Sequence, residues 1–170
     1  YYYCKVTNAG GITSSRAAQL TVLYTPVLNA SKPSDVAINE GQNASFEIGI
    51  STAGNPATYT YQWYKNTAND NTSGSAVSGA TSASYSMANV RRDSHNTYYY
   101  CIITNKAGSK TSRAAKLTVY WKPTLDSSNP ADVTKNVGDK ASFNVKITTA
   151  GNPDSYQYQW YKTSSATAGG

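Results

Sequence analysis

Apolar and polar residues alternate with a period of two in five segments between residues 44 and 119, as in strands that bury one face. Clusters of Gly, Pro, Asn or Ser bound each segment, and no stretch has the period of a helix. Short strands separated by turns about every ten residues predict a two-sheet β-sandwich. The segments are ASFEIGI (44–50), TYTYQWYK (58–65), ASYSM (83–87), TYYYCIIT (97–104) and AAKLTV (114–119).

The alternation also predicts which side chains meet between the two sheets. Phe46, Trp63, Tyr99 and Cys101 fall on the inward positions of four of these strands. The whole predicted core is Phe46, Ile48, Ile50, Tyr61, Trp63, Tyr85, Met87, Tyr99, Cys101, Ile103, Leu117 and Val119.

Several phrases return along the chain at one fixed offset of 97 residues. YYYC stands at 1–4 and 98–101, YQWYK at 61–65 and 158–162, and TAGNP at 52–56 and 149–153. This offset is the size of a small domain and exceeds the roughly 20 to 50 residues of a solenoid unit. The sequence therefore predicts an all-β tandem repeat.

The offset places the boundaries of three units. Residues 1–24 are expected to be the last strands of one domain, 25–121 a complete domain, and 122–170 the first strands of a third. Three residues repeat core positions of the complete domain, and we expect them to be buried as well: Cys4 (equivalent to Cys101), Phe143 (to Phe46) and Trp160 (to Trp63).

The order of these motifs resembles an immunoglobulin-like domain. The motifs are an inward Trp in QWYK, a Tyr two residues before a Cys in YYYC, a TNKAGS turn and a closing AAKLTV strand. The segment TNAGGITSSRAAQLTV (7–22) is similar to the tandem, I-set-like versions of bacterial surface proteins. The resemblance implies an antiparallel sandwich with Trp63 on strand C and Cys101 on strand F. It also implies that Tyr99 is the tyrosine-corner residue, whose hydroxyl bonds to the preceding turn.

Two positions depart from that family. Phe46, and Phe143 in the next repeat, replace the strand-B cysteine, and His95 replaces the acidic residue six places before Cys101. Cys101 is therefore expected to be a reduced thiol packed against Phe46 and Trp63. Cys4 is expected to lie on the order of 35 to 40 Å away, beyond the ~7 Å between Cα atoms that a disulfide tolerates.

Candidate catalytic chemistry is sparse. The chain has one His, and its 9 Asp and Glu residues are scattered without the spacing of a metal site. Asp70, in NDNTSGS, could bind calcium weakly, but a polar loop explains this segment better. We expect no catalytic residue, no metal and no cofactor.

The chain is basic, with 15 Lys and Arg residues, a net charge of +6 and a pI of about 9.2. The basic residues are dispersed and follow no nucleic-acid-binding motif, so no nucleic-acid partner is expected. Acidic cell-wall polymers or host glycans fit this charge better. No apolar run approaches the ~20 residues of a membrane-spanning helix.

Outward positions on strands C and F form a candidate interface, which we call the tyrosine face. Tyrosine offers a large contact area at low entropic cost, so the face could bind other copies and build fibres. Alternatively, cross-strand tyrosine pairs only shield the sheet. The residues are Gln62, Tyr64, Tyr98, Tyr100 and Ile102.

The linkers LYTPVL (23–28) and YWKPTL (120–125) are too short and too aromatic for a flexible tether. Tyr24 or Trp121 could pack across the junction and fix its angle. The alternative is an ordinary strand exit into a Pro-led strand.

Together these features predict a non-enzymatic structural segment of an extracellular surface protein or fibre, a stalk that is adhesive as well. Neighbouring repeats of the same chain are its expected partners. Two alternatives stay open: an adhesin module that binds carbohydrate or a host protein, and an accessory domain of a large extracellular enzyme.

Overall fold

A computed structural model describes residues 1–164. Its regular elements are strands, joined by one 3₁₀ turn at Arg92–Ser94 within this range. The strands are β1 Lys5–Asn8, β2 Gly11–Ser14, β3 Val27–Leu28, β4 Val36–Asn39, β5 Ala44–Glu47, β6 Ile50–Thr52, β7 Thr60–Asn66, β8 Ser75–Ala76, β9 Ser84–Met87, β10 Thr97–Asn105, β11 Gly108–Thr111, β12 Ala115–Tyr120, β13 Thr124–Leu125 and β14 Ile147–Thr149.

Strands β3 to β12 form a sandwich. The larger sheet has the order β4-β12-β10-β7-β8, with β11 also paired to β10. The opposite layer consists of two pairs, β5 with β9 and β3 with β6. The β4–β12 pair is parallel, with Val36 opposite Leu117, whereas the other pairs among these strands are antiparallel.

The core lies between these layers. Trp63, Cys101 and Leu117 of the larger sheet are fully buried, and Phe46 of the opposite layer packs against them. The ring of Phe46 stacks on Tyr99, with 4.8 Å between centroids, and lies 6.4 Å from the ring of Trp63. Each large apolar side chain buried in this way stabilises the fold by about 1.5 to 3 kcal/mol.

Arg113, just before β12, is hydrogen-bonded to the residues that lead into β4. One guanidinium nitrogen donates to the carbonyl of Pro33 (2.6 Å) and another to the Asp35 carboxylate (2.9 Å). The Lys116 N–H also donates to that carboxylate. The hydrogen bonds that this carboxylate accepts from Lys116 and from Arg113 hold the pKa of Asp35 below its usual range.

The flanking segments contain short strand pairs only. Residues 1–24 form the β1–β2 hairpin, and β13 pairs with β14 in the last segment. Cys4 is exposed, and Phe143 and Trp160 are 56% and 53% exposed, so the prediction that these three are buried is wrong. In the central domain two layers cover each other's inward side chains, whereas within residues 1–164 no complete pair of layers encloses these three.

The sandwich also contains strands that the alternation did not predict: β3, β4, β8 and β11. They are two to four residues long, too short for a period of two to stand out. No helix in residues 1–164 is long and apolar enough to cross a membrane.

Candidate functional site

Cys101 lies at the centre of the sandwich as a free thiol. Its backbone N–H donates to the Ser112 hydroxyl at 2.9 Å, and its side chain is fully buried. Burial raises the pKa of this thiol to about 11, because it disfavours the thiolate. The group is therefore a small apolar packing element and a poor nucleophile.

We expect thiol reagents to distinguish the two cysteines. Cys4 is exposed and should react with the native chain at once, whereas Cys101 should react only after denaturation. Mass spectrometry after brief labelling should therefore find one modified cysteine in the native chain and two in denaturant. Rapid double labelling of the native chain would contradict the burial of Cys101.

Tyr99 does not act as a tyrosine corner. Its ring stacks on Phe46 and lies 5.6 Å from the ring of Tyr85, and no hydrogen bond of its hydroxyl is found in residues 1–164. Burial raises the pKa of this phenol to about 12. His95 instead ties the turn before β10 to the sheet, because its Nδ1 accepts the Val119 N–H at 3.1 Å.

The tyrosine face is only partly available. Tyr100 was expected to be exposed, but it is 2% exposed, so that prediction is wrong. Its ring stacks on Tyr64 at 5.1 Å, and its hydroxyl accepts the Gly74 N–H at 3.0 Å. The loop between β7 and β8 thus covers Tyr100, and a Cβ at Gly74 would lie 2.8 Å from this ring.

The other members of the face are half-buried. Gln62 donates from Nε2 to the carbonyls of Trp63 and Val77, so its amide is used within the domain. Tyr64, Tyr98 and Ile102 keep part of their surface in solvent. What remains is a smaller patch than the sequence suggested.

Asp70 organises the covering loop. Its carboxylate accepts the N–H and hydroxyl groups of Thr72 and of Ser73. These hydrogen bonds, led by that of the Ser73 hydroxyl, lower the pKa of Asp70 to about 2. The carboxylate serves the loop in this arrangement, and residues 1–164 contain no group of three or more His, Cys, Asp or Glu side chains placed to hold a metal ion.

The linker after β12 is hydrogen-bonded to the following repeat. The Trp121 indole donates from Nε1 to the Ala150 carbonyl (3.0 Å), and the backbones of Trp121 and Asn152 exchange two hydrogen bonds. Asn152 also donates from Nδ2 to the Val119 carbonyl at 2.6 Å. These bonds join the end of β12 to the turn after β14 in the following repeat, which favours packing across the junction over a simple strand exit.

The turn before β10 contacts the same linker. The His95 ring meets Trp121 edge to face at 5.4 Å, and the Arg92 guanidinium lies 5.7 Å from the Trp121 ring. Arg92 is itself held by Glu40, with its Nη2 2.8 Å from Oε2. An open cleft of about 880 Å³ lies here, lined in part by Glu40, Arg92 and Trp121.

The preceding junction repeats the central part of this arrangement. Tyr24 and Asn55 exchange the same backbone bonds, and Asn55 donates from Nδ2 to the Val22 carbonyl at 2.6 Å. Gly54 and Gly151 lie so close to the linkers that a Cβ would be 2.7 Å from the Tyr24 carbonyl oxygen or 2.8 Å from that of Trp121. Sequence reasoning found the TAGNP repeat but missed its role, because each TAGNP lies more than twenty residues after the linker that it contacts in the folded chain.

Comparison with known proteins identifies the domain type. Residues 25–105 match the family model described as immunoglobulin domain. The central repeat has the immunoglobulin fold. No match to this chain was found among curated protein sequences.

Several solved structures are similar to this immunoglobulin-like chain. They include Drosophila OTK extracellular domains 3–5 (21% identity, 69% of this chain and 38% of that one, TM-score 0.46) and the tandem Ig repeats of Dlar (23%, 69% and 60%, 0.44). A third concerns Dscam isoform specificity (18%, 68% and 31%, 0.48). The chain thus spans less than two thirds of each of these structures. At these identities and TM-scores the likeness carries no argument about function, and it gives no support to a bacterial source.

Proposed function

We propose that this chain is a segment of an extracellular array of immunoglobulin-like domains and serves as a stiff, non-enzymatic spacer. The boundaries at residues 24 and 121 are part of this proposal, with residues 25–121 as its complete unit. The observation that carries it is the bonded junction around Trp121 and Asn152, which recurs at Tyr24 and Asn55.

Junctions of this kind favour a stalk over a flexible string of domains. A Gly/Ser-rich tether leaves neighbouring domains free to reorient, whereas here the linker backbone is paired on both sides of its proline. The Trp121 side chain adds contacts to His95 and Arg92 on one side and to Ala150 on the other. Each contact removes rotational freedom between successive domains.

We also propose where the array is located and what it contacts. A bacterial surface protein with an adhesive stalk fits the motif resemblance, and the net charge of +6 suits acidic cell-wall or host glycans. Lateral association into fibres would use Tyr64, Tyr98 and Ile102, the part of the tyrosine face that solvent still reaches.

The spacer proposal can be tested by NMR relaxation on the whole chain. We expect amides of β13 and β14 to move with β10, at order parameters of about 0.85, and Trp121→Ala to lower those of β13 and β14 below about 0.6. Tyr161→Ala, at an exposed position, is the control and should change nothing. A junction that is already flexible in the unmodified chain would refute the proposal, as would one that stays rigid in Trp121→Ala.

Electron micrographs of the intact surface protein give a second measurement. A spacer predicts straight, extended rods, and lateral association predicts bundles of them. A compact particle would contradict the spacer, and separate rods at high concentration would contradict the lateral contacts alone.

A further inference from the structure

We propose that His95 makes the junction after the central domain sensitive to pH, so that it is closed when the imidazole is neutral and loosens when the imidazole gains a proton. The biological meaning of this switch rests on the proposed spacer function. The hydrogen bonds that carry it do not depend on that function.

The bonding around His95 fixes one protonation state. The Val119 N–H can only donate, so the His95 Nδ1, 3.1 Å away, must accept, and the ring proton must be on Nε2. The Asn152 amide nitrogen lies 3.3 Å from the same Nδ1. That nitrogen donates to the Val119 carbonyl at 2.6 Å, which identifies it as the NH₂ end of the amide. A single acceptor therefore faces two donors, one from each side of the junction.

Protonation reverses this arrangement. Both nitrogens of an imidazolium are donors, so an Nδ1–H would point at the Val119 N–H and the Asn152 NH₂ with no acceptor between them. Rotating the Asn152 amide would offer its oxygen to the imidazolium but would break the bond to the Val119 carbonyl. The imidazole must otherwise turn away, which disrupts its edge contact with Trp121. In either case a contact between the two repeats is lost.

The elements around the imidazole carry charged residues of both signs. They are Arg91, Arg92 and Asp93 on or next to its own turn, Glu40 after β4, Lys116 on β12, Lys122 in the linker and Asp154 after the Asn152-Pro153 turn. Glu40 is bonded to Arg92, and within residues 1–164 the ring nitrogens of His95 are bonded only to Val119 and Asn152. The donors at Nδ1 therefore set the direction of the response.

Histidine ordinarily changes its charge between about pH 5 and pH 8. The junction would thus be stiff while the imidazole is neutral and hinged once it is protonated. Proton uptake by a single side chain would change the angle between repeats without unfolding either of them.

The test uses the whole chain and a variant that cannot titrate at this position. His95→Asn keeps an acceptor near the place of Nδ1. Hydrogen exchange of the Val119 amide and the side-chain resonances of Asn152 and Trp121 are followed from about pH 7.5 to about pH 5. We expect the exchange rate of Val119, divided by that in His95→Asn at the same pH, to rise several-fold on acidification. An unchanged ratio while the His95 resonances titrate would overturn the proposal.

A second variant keeps the test decisive if His95→Asn does not fold. Asn152→Ala removes one of the two donors that oppose a proton on Nδ1, so acidification should change the side-chain resonances of Trp121 less than in the unmodified chain. An equal or larger change would overturn the proposal. Neither readout depends on the chain being a spacer. A flexible junction in the relaxation experiment would refute the spacer, whereas the His95 bonds are tested by the two variants above.

Discussion

Replacing Trp63 with alanine should strongly destabilise the central domain. The side chain is fully buried against Phe46 and Tyr85, and its Nε1 donates to the Ser82 carbonyl at 2.9 Å. Removing this side chain loses its buried apolar surface, leaves a cavity and leaves the Ser82 carbonyl without its donor. The combined cost is about 3 to 5 kcal/mol of unfolding free energy. A domain of this size has a total stability of about 5 to 15 kcal/mol.

Urea unfolding followed by near-UV circular dichroism measures this loss. The chain supplies its own control, because Trp160 occupies the same position in the next repeat but is exposed. Trp160→Ala should leave the midpoint of the main transition unchanged. Equal effects of the two substitutions, or none from Trp63→Ala, would refute the assignment of the core.

Adding one methyl group at Gly54 should destabilise the domain and release its entry linker. A Cβ there would lie 2.7 Å from both the Tyr24 carbonyl oxygen and the Asn105 amide nitrogen, and 2.8 Å from the Pro26 nitrogen. Two of these atoms are backbone atoms that cannot swing aside, so Gly54→Ala must push the linker outwards. We expect a loss of about 1 to 3 kcal/mol, the usual cost of overpacking.

Thermal unfolding and the exchange rate of the Tyr24 amide report the two parts of this effect. The Tyr24 N–H donates to the Asn55 carbonyl at 3.1 Å and should become exposed to exchange. Ala53→Ser adds one heavy atom at the adjacent, exposed position and should be neutral. A Gly54→Ala chain with unchanged stability and unchanged Tyr24 exchange would show that the close approach is not needed.

The sandwich could be predicted from sequence because its central strands alternate strongly. Residues such as Phe46, Trp63, Cys101 and Leu117 sit in strands that are half polar and half apolar, and their burial follows from that pattern. The same pattern in the flanking repeats failed for Phe143 and Trp160. Alternation says which face of a strand would be buried, but only a neighbouring sheet can bury it.

The candidate site was harder to predict because it depends on contacts distant in sequence. Tyr100 has the alternation of an outward residue, and its burial comes from a polar loop that Asp70 folds back over the sheet. His95 and Asn152 are 57 residues apart, and neither lies in a motif that predicts their contact. The 97-residue offset showed that TAGNP recurs, but not that it contacts the linker.

The parallel pairing of β4 with β12 determines how the domain carries mechanical load. Tension along the chain enters ahead of β4 and leaves after β12, so it draws the two adjacent strands in opposite directions along their length. The paired residues from Val36 with Leu117 to Asn39 with Tyr120 are then sheared together, and no bond can open before the rest. Arg113 fastens the same strands. This arrangement resists a pull applied between the start of β4 and the end of β12.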